Sequence, residues 1–263
     1  MSTATAAIAV DQPGIPLSRL VKVELRKAFD TRAGRWFSIA ILLLCVVVML
    51  FQAFVFNEGN QDLSAFVLSM GGTLGFFLPV IPIMLVTSEW SQRTGLVTFT
   101  LEPRRERVVA SKFLAGFVVA VGVMLLAFVI AAIGTFLAGT IRGADISWAL
   151  EYNQVQNFFL ANIFGIFIGF AFAMLIMNTS AAIVAYFVYS LIIPSIVGII
   201  GYNVGWFGDL APWFEFNTAQ GPLFSGDFSP TGQEWAQIAT SGTIWLILPL
   251  VLGTLRLLRS EVK

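Results

Sequence analysis

The chain has 263 residues, of which 57% are hydrophobic and 11% charged, against roughly 45–50% and 25% in soluble domains. So little polar surface cannot coat a water-soluble globule of this size, and the apolar residues fall in membrane-length blocks. Fifteen basic and fifteen acidic residues cancel, so net charge offers no nucleic acid a reason to bind. The complete lack of histidine excludes histidine metal sites, Ser-His-Asp triads and histidine proton relays.

Residues 1–17 are small and polar, with no basic stretch ahead of an apolar one; they are expected to be a disordered tail rather than a secretory signal. From Leu17 to Phe29 the sequence carries a helical stripe. At 100° per residue Leu17, Leu20, Val21, Leu25, Ala28 and Phe29 share one face, while Arg19, Lys22 and Arg26 share the other. Such a helix lies along a membrane surface, apolar face in the acyl chains and basic face toward anionic headgroups.

Blocks of about 20 apolar residues place spans at 36–56, 64–87, 113–138, 157–177, 181–201 and 238–256. Runs of this length exclude a barrel, whose strands are about 10 residues long with alternating polarity. The fold class is therefore all-α integral membrane, with six transmembrane helices. Cys45 lies inside the first block and is the one cysteine, a packing residue without a disulfide partner. The fourth and fifth spans are separated only by Met177-Asn178-Thr179-Ser180, which predicts a tight helical hairpin.

Fourteen of the fifteen lysines and arginines fall before the first span, between the second and third, or after the sixth, and Arg142 alone falls on the other side. The positive-inside rule then puts both termini in the cytoplasm, and a bacterial plasma membrane is the expected location. No charged residue falls in the interior of any of these six blocks. Retained mid-membrane charges mark ion and proton pathways, so their absence argues against a gradient-driven carrier.

Polar residues within the blocks are the candidates for a passage: Gln52, Asn162, Tyr186 and Tyr189. The pairs Gly71/Gly75 and Gly165/Gly169 have spacings that let helices approach closely. Pro79, Pro82, Pro194 and Pro249 permit kinks. An apolar, aromatic, uncharged lining would suit a hydrophobic or amphipathic cargo. The 202–237 segment has no lysine or arginine and is dense in tryptophan, phenylalanine and proline, as befits a membrane–water boundary.

Between the second and third spans, residues 88–112 mix five bases with three acids and add Trp90, Phe99 and Leu101. A positive-inside loop accounts for the bases but not for those apolar side chains. Here the sequence resembles the permease subunits of type-2 ABC exporters. The resemblance rests on six spans, a leading amphipathic helix, and a loop bearing Glu89, Gly95, Leu101-Glu102-Pro103-Arg104-Arg105 and Lys112. The loop departs from the family's pattern where Leu96 follows the glycine in place of threonine.

The resemblance covers residues 18–263 and implies a division of labour. An elbow helix (Leu20, Val21, Leu25, Phe29) and a coupling loop (Glu89, Arg93, Gly95, Leu101, Pro103, Arg104, Arg105, Glu106) would dock a cytoplasmic ABC ATPase. Two ATPases and a second permease chain, identical or related, would complete the complex, and ATP with Mg would bind to the ATPases. It also implies short re-entrant helices before the last span. The chain's four lysines all lack the preceding glycine of a phosphate-binding loop, so it is expected to be no enzyme itself. A non-transporting membrane sensor or assembly protein, or an ion-independent channel-like carrier, stays open as the alternative.

Overall fold

The structure is a computed structural model, and it describes residues 15–55, 61–91, 98, 100–102, 104–143, 146–225 and 229–259. Among the described residues there is no strand. Six helices are long and apolar enough to cross a membrane: Arg32–Val55, Leu63–Ser91, Arg105–Ile141, Tyr152–Ile176, Thr179–Asn203 and Gly232–Arg256. The count agrees with the hydropathy blocks, but several helices outrun them.

The third helix runs from Arg105 to Arg142, 38 residues. At ~1.5 Å per residue it is about 57 Å long, nearly twice a hydrocarbon core of ~30 Å. The second continues to Ser91. Residues 88–91 and 105–112 of the 88–112 segment are therefore helix rather than loop. The blocks themselves remain free of interior charge, and the added helical ends bring charges with them. Glu89 and Lys112 are carried into the packed ends of the second and third helices, each only 2% exposed.

An N-terminal helix, Leu17–Asp30, precedes the first span and packs against the third. The corner between it and the first span is made by Thr31. Its extended backbone ends one helix, and its Oγ1 accepts the Gly34 N–H at 3.1 Å, capping the start of the next. A Cβ at Gly34 would overlap the Ala28 carbonyl, so the corner needs glycine there.

Two apolar clusters make the interior. The first joins Ile41, Cys45 and Met49 of the first span to Phe66, Met70 and Leu74 of the second and the small stripe Ala120, Ala127, Ala131 and Ala138 of the third. Small residues substitute for a hydrophobic driving force that lipid does not supply, because they let backbones close in. Gly134 shows it: a Cβ there would stand 2.6 Å from Met49 and Phe66. The second cluster joins Ile83 and Val86 to Phe170, Met174, Ala182 and Tyr186, and extends to Phe216, Leu223 and Ile238.

The second span breaks at Leu78–Pro79, between helices Leu63–Phe77 and Val80–Ser91. The fourth span has room for this break because Gly165 and Gly169 lie against Pro79; a Cβ at Gly169 would overlap the Pro79 carbonyl. Pro194 and Pro249 act one turn earlier than themselves. Each follows a five-residue π-turn, Val188–Ile192 and Thr243–Ile247, which widens the helix where the proline ring would meet the preceding carbonyl. The rings of Tyr189 and Trp245, one from each turn, pack 4.8 Å apart.

The fourth–fifth hairpin is tighter than four residues. Only Met177 and Asn178 link the helices; Met177 adopts a left-handed φ of 55°, and Asn178 caps the fifth span through Ala181 N–H at 3.0 Å. Beyond the fifth span, Gly205–Phe214 folds back on Ile193–Asn203, with Gly201 and Gly208 in contact. Ten residues make only ~15 Å of helix, too short to cross. A four-residue helix, Phe216–Ala219, and a 3₁₀ turn, Gly221–Leu223, follow. The sixth span starts at Gly232 under a Thr231/Glu234 capping box, so the last residues of the 202–237 segment belong to it.

Candidate functional site

The helix Leu17–Asp30 turns part of its apolar stripe onto the spans, with Leu20, Val21, Leu25 and Ala28 half-buried, where the sequence placed that face in acyl chains; Phe29 is 48% exposed. The residue it buries deepest is Glu24, 4% exposed. Glu24 sits in the angular gap between Leu20 and Ala28, the middle of the apolar face. A carboxylate there requires partners, since an unpaired buried charge costs several kcal/mol.

The partners close a ring. Glu24 accepts from Lys27 Nζ at 2.7 Å through Oε1 and from Lys112 Nζ at 2.8 Å through Oε2. Glu89 Oε1 lies 3.2 Å from Lys27 Nζ and 3.0 Å from Lys112 Nζ. Two acids and two bases thus alternate around one small circuit, joining the N-terminal helix to the ends of the second and third spans. Lys112 also donates to the Leu85 carbonyl at 3.4 Å. Thr98 Oγ1 donates to Glu89 Oε1 at 3.0 Å, tying in the connection between the second and third spans. Glu89 Oε2 is buried with no hydrogen-bond partner among the described residues.

Burial pushes the Lys27 ammonium down, but hydrogen bonding and charge from Glu24, then from Glu89, outweigh it and hold it above the usual 10.5. Next to the ring, Glu102 pairs with Arg107 at 3.1 Å, and Arg107 also donates to the Ile15 carbonyl. Hydroxyls extend the connection sideways: Thr179 Oγ1 lies 2.8 Å from Thr87 Oγ1 and 2.6 Å from Ser91 Oγ, linking the second span to the fifth.

Of the residues expected to couple, Glu89 belongs to the ring. Leu101 is 68% exposed, with Arg104 and Glu106 exposed beside it and Arg105 half-buried. Arg93, Gly95 and Pro103 lie outside the described residues. Glu24, Lys27 and Arg107 were not singled out by the sequence, and Glu102 and Lys112 figured only as parts of the loop motif.

The passage candidates do not share one surface. Gln52 is buried in the first span. Asn162 donates to the Phe158 carbonyl of its own helix at 2.8 Å and faces Gly71. Tyr186 donates to the Gly75 carbonyl at 2.8 Å, and Tyr189 packs between Phe172 and Trp245. Tyr186 and Gly71/Gly75 join the second span to the fourth and fifth. Near that end Glu215, 1% exposed, accepts from Asn217 and Thr218, a fully bonded carboxylate that caps a helix.

A cleft of about 620 Å³ opens between the N-terminal helix and the first three spans. Its walls run from Arg19, Leu101 and Glu102, past Glu24, Lys27 and Glu89, to Phe37, Ile81, Met84 and Val119. Among the described residues no cluster of three or more histidines, cysteines or acids could hold a metal ion.

No protein-family model and no curated protein matches the chain.

Proposed function

We propose that the chain is the membrane-spanning permease subunit of an ATP-driven exporter of the type-2 ABC kind, worked by a separate cytoplasmic ATPase. The observation that supports this reading most is the buried charge ring beneath an exposed segment. Leu101, Arg104 and Glu106 stand free for a partner, and directly below them Lys27, Glu24, Lys112 and Glu89 bind three helices together. Force applied to that segment would pass to the N-terminal helix and the second and third spans as one body. Through Thr87, Ser91 and Thr179 it would reach the fifth.

In this reading the basic end of the bundle faces the cytoplasm, the Leu17–Asp30 helix is the elbow, and Gly205–Phe214 with its neighbours is a re-entrant outer cap. ATP and Mg bind to two ATPases, a second permease chain completes the pathway, and the cargo is hydrophobic or amphipathic. Charge reversal tests the coupling. R104E with R105E should leave the protein in the membrane yet abolish its stimulation of the ATPase with which it co-reconstitutes; unchanged ATP-driven transport would refute the assignment.

A further inference from the structure

We propose that the cleft behind the N-terminal helix is a binding site for one anionic phospholipid, its acyl chain against Phe37, Ile81, Met84 and Val119 and its phosphate on Arg19. This rests on reading Leu17–Asp30 as a membrane-surface helix. The walls of the cleft are mixed. They include the apolar side chains of Phe37, Ile81, Met84 and Val119, against which water gains little. They also include Arg19, exposed and with no side-chain partner among the described residues, at the edge of the face that also bears Lys22 and Arg26.

An amphiphile matches that mixed lining, and Arg19 selects an anionic head. Of the charges that line the cleft, Glu24, Lys27 and Glu89 are paired with one another and with Lys112, with Glu89 Oε2 left without a hydrogen-bond partner among the described residues, and Glu102 is paired with Arg107. Among the described residues that line the cleft, the cation without a side-chain partner is the Arg19 guanidinium, which suits a phosphate diester through paired N–H donors. A volume of about 620 Å³ lies in the range of sites that enclose most of a small ligand. The bound chain would brace the helix against the spans on the side where protein does not.

The test uses the full-length protein in phosphatidylcholine vesicles doped with phosphatidylglycerol that carries a diazirine at the end of one acyl chain. Phosphatidylcholine carrying the same label is the control. Mass spectrometry should find adducts at Met84 and Val119 at least fivefold above those at lipid-facing Leu43 and Val129 with phosphatidylglycerol, but not with phosphatidylcholine. Ala33→Trp, at the cleft wall, should reduce the adducts to the lipid-facing level. Arg19→Gln, which leaves the cavity intact, should remove the preference between the two lipids. Equal labelling by both lipids in the unaltered chain, or labelling at Met84 and Val119 no stronger than at Leu43, would overturn the proposal. The labelling needs no ATPase, so its failure would leave the permease assignment untouched, and a failed ATPase assay would leave the lipid site standing.

Discussion

Lys112 donates to Glu24 and to the Leu85 carbonyl, pairs with Glu89 and, with Glu24, is almost wholly withdrawn from water. Removing one member strands the opposite charge. Lys112→Met and Glu24→Gln should each cost about 3–5 kcal/mol, read as unfolding in detergent by far-UV circular dichroism. The double variant should cost less than the sum, because neither charge is then left alone; strict additivity would mean that the two do not interact. Lys27 carries a pH signature. Its pKa is raised in the fold, so its contribution is complete below 10.5 and declines only as pH climbs through the higher folded value. Alkaline titration should therefore loosen the N-terminal helix above pH 10.5, and Lys27→Met should remove that transition. Glu24 was legible in principle. An acid at the centre of an apolar helical face announces a buried partner, but grouping the apolar residues alone hides it. Which lysine it meets, 88 residues away, is fixed by tertiary packing, and local periodicity carries no trace of it.

Helix breaks follow the prolines, and helix contacts follow the glycines. Gly169→Ala should cost about 1–3 kcal/mol through overpacking, since its Cβ would overlap the Pro79 carbonyl; Gly72→Ala, where a Cβ meets nothing within 4 Å, should be close to neutral in the same unfolding assay. Pro249→Ala restores the N–H whose absence the Thr243–Ile247 π-turn accommodates. If the turn reverts to α-helix, Trp245 rotates away from Tyr189 and from the Phe214 carbonyl, to which its indole donates at 2.7 Å. The expected readout is a shift in tryptophan emission. The sequence identified these kink sites and the glycine spacings, because proline and glycine act through local backbone sterics. It misjudged where the second and third helices end. Hydropathy registers where lipid stops, and a helix whose polar end is wrapped by other helices continues past that point, as Ser91 and Arg105 do.

Across the whole molecule, six membrane-length helices were readable because each is a local composition. Their arrangement was not: the second and fourth interlock at Pro79, and the sixth closes on the fourth where a Cβ at Gly253 would stand 2.8 Å from Met174 and Leu175. The charge-free interior read from the blocks argues against ion coupling, and the buried ring lies at helix ends outside those blocks. Its charges neutralise one another and tie three elements together, with Leu101, Arg104 and Glu106 exposed. The deciding measurement is cargo movement from vesicles containing this chain and its co-reconstituted ATPase, with ATP or a transmembrane proton gradient as the only energy source. The account predicts ATP-dependent outward transport that is lost in R104E with R105E and is indifferent to the gradient. Transport that follows the proton gradient without ATP, or that survives the charge reversal undiminished, would contradict it.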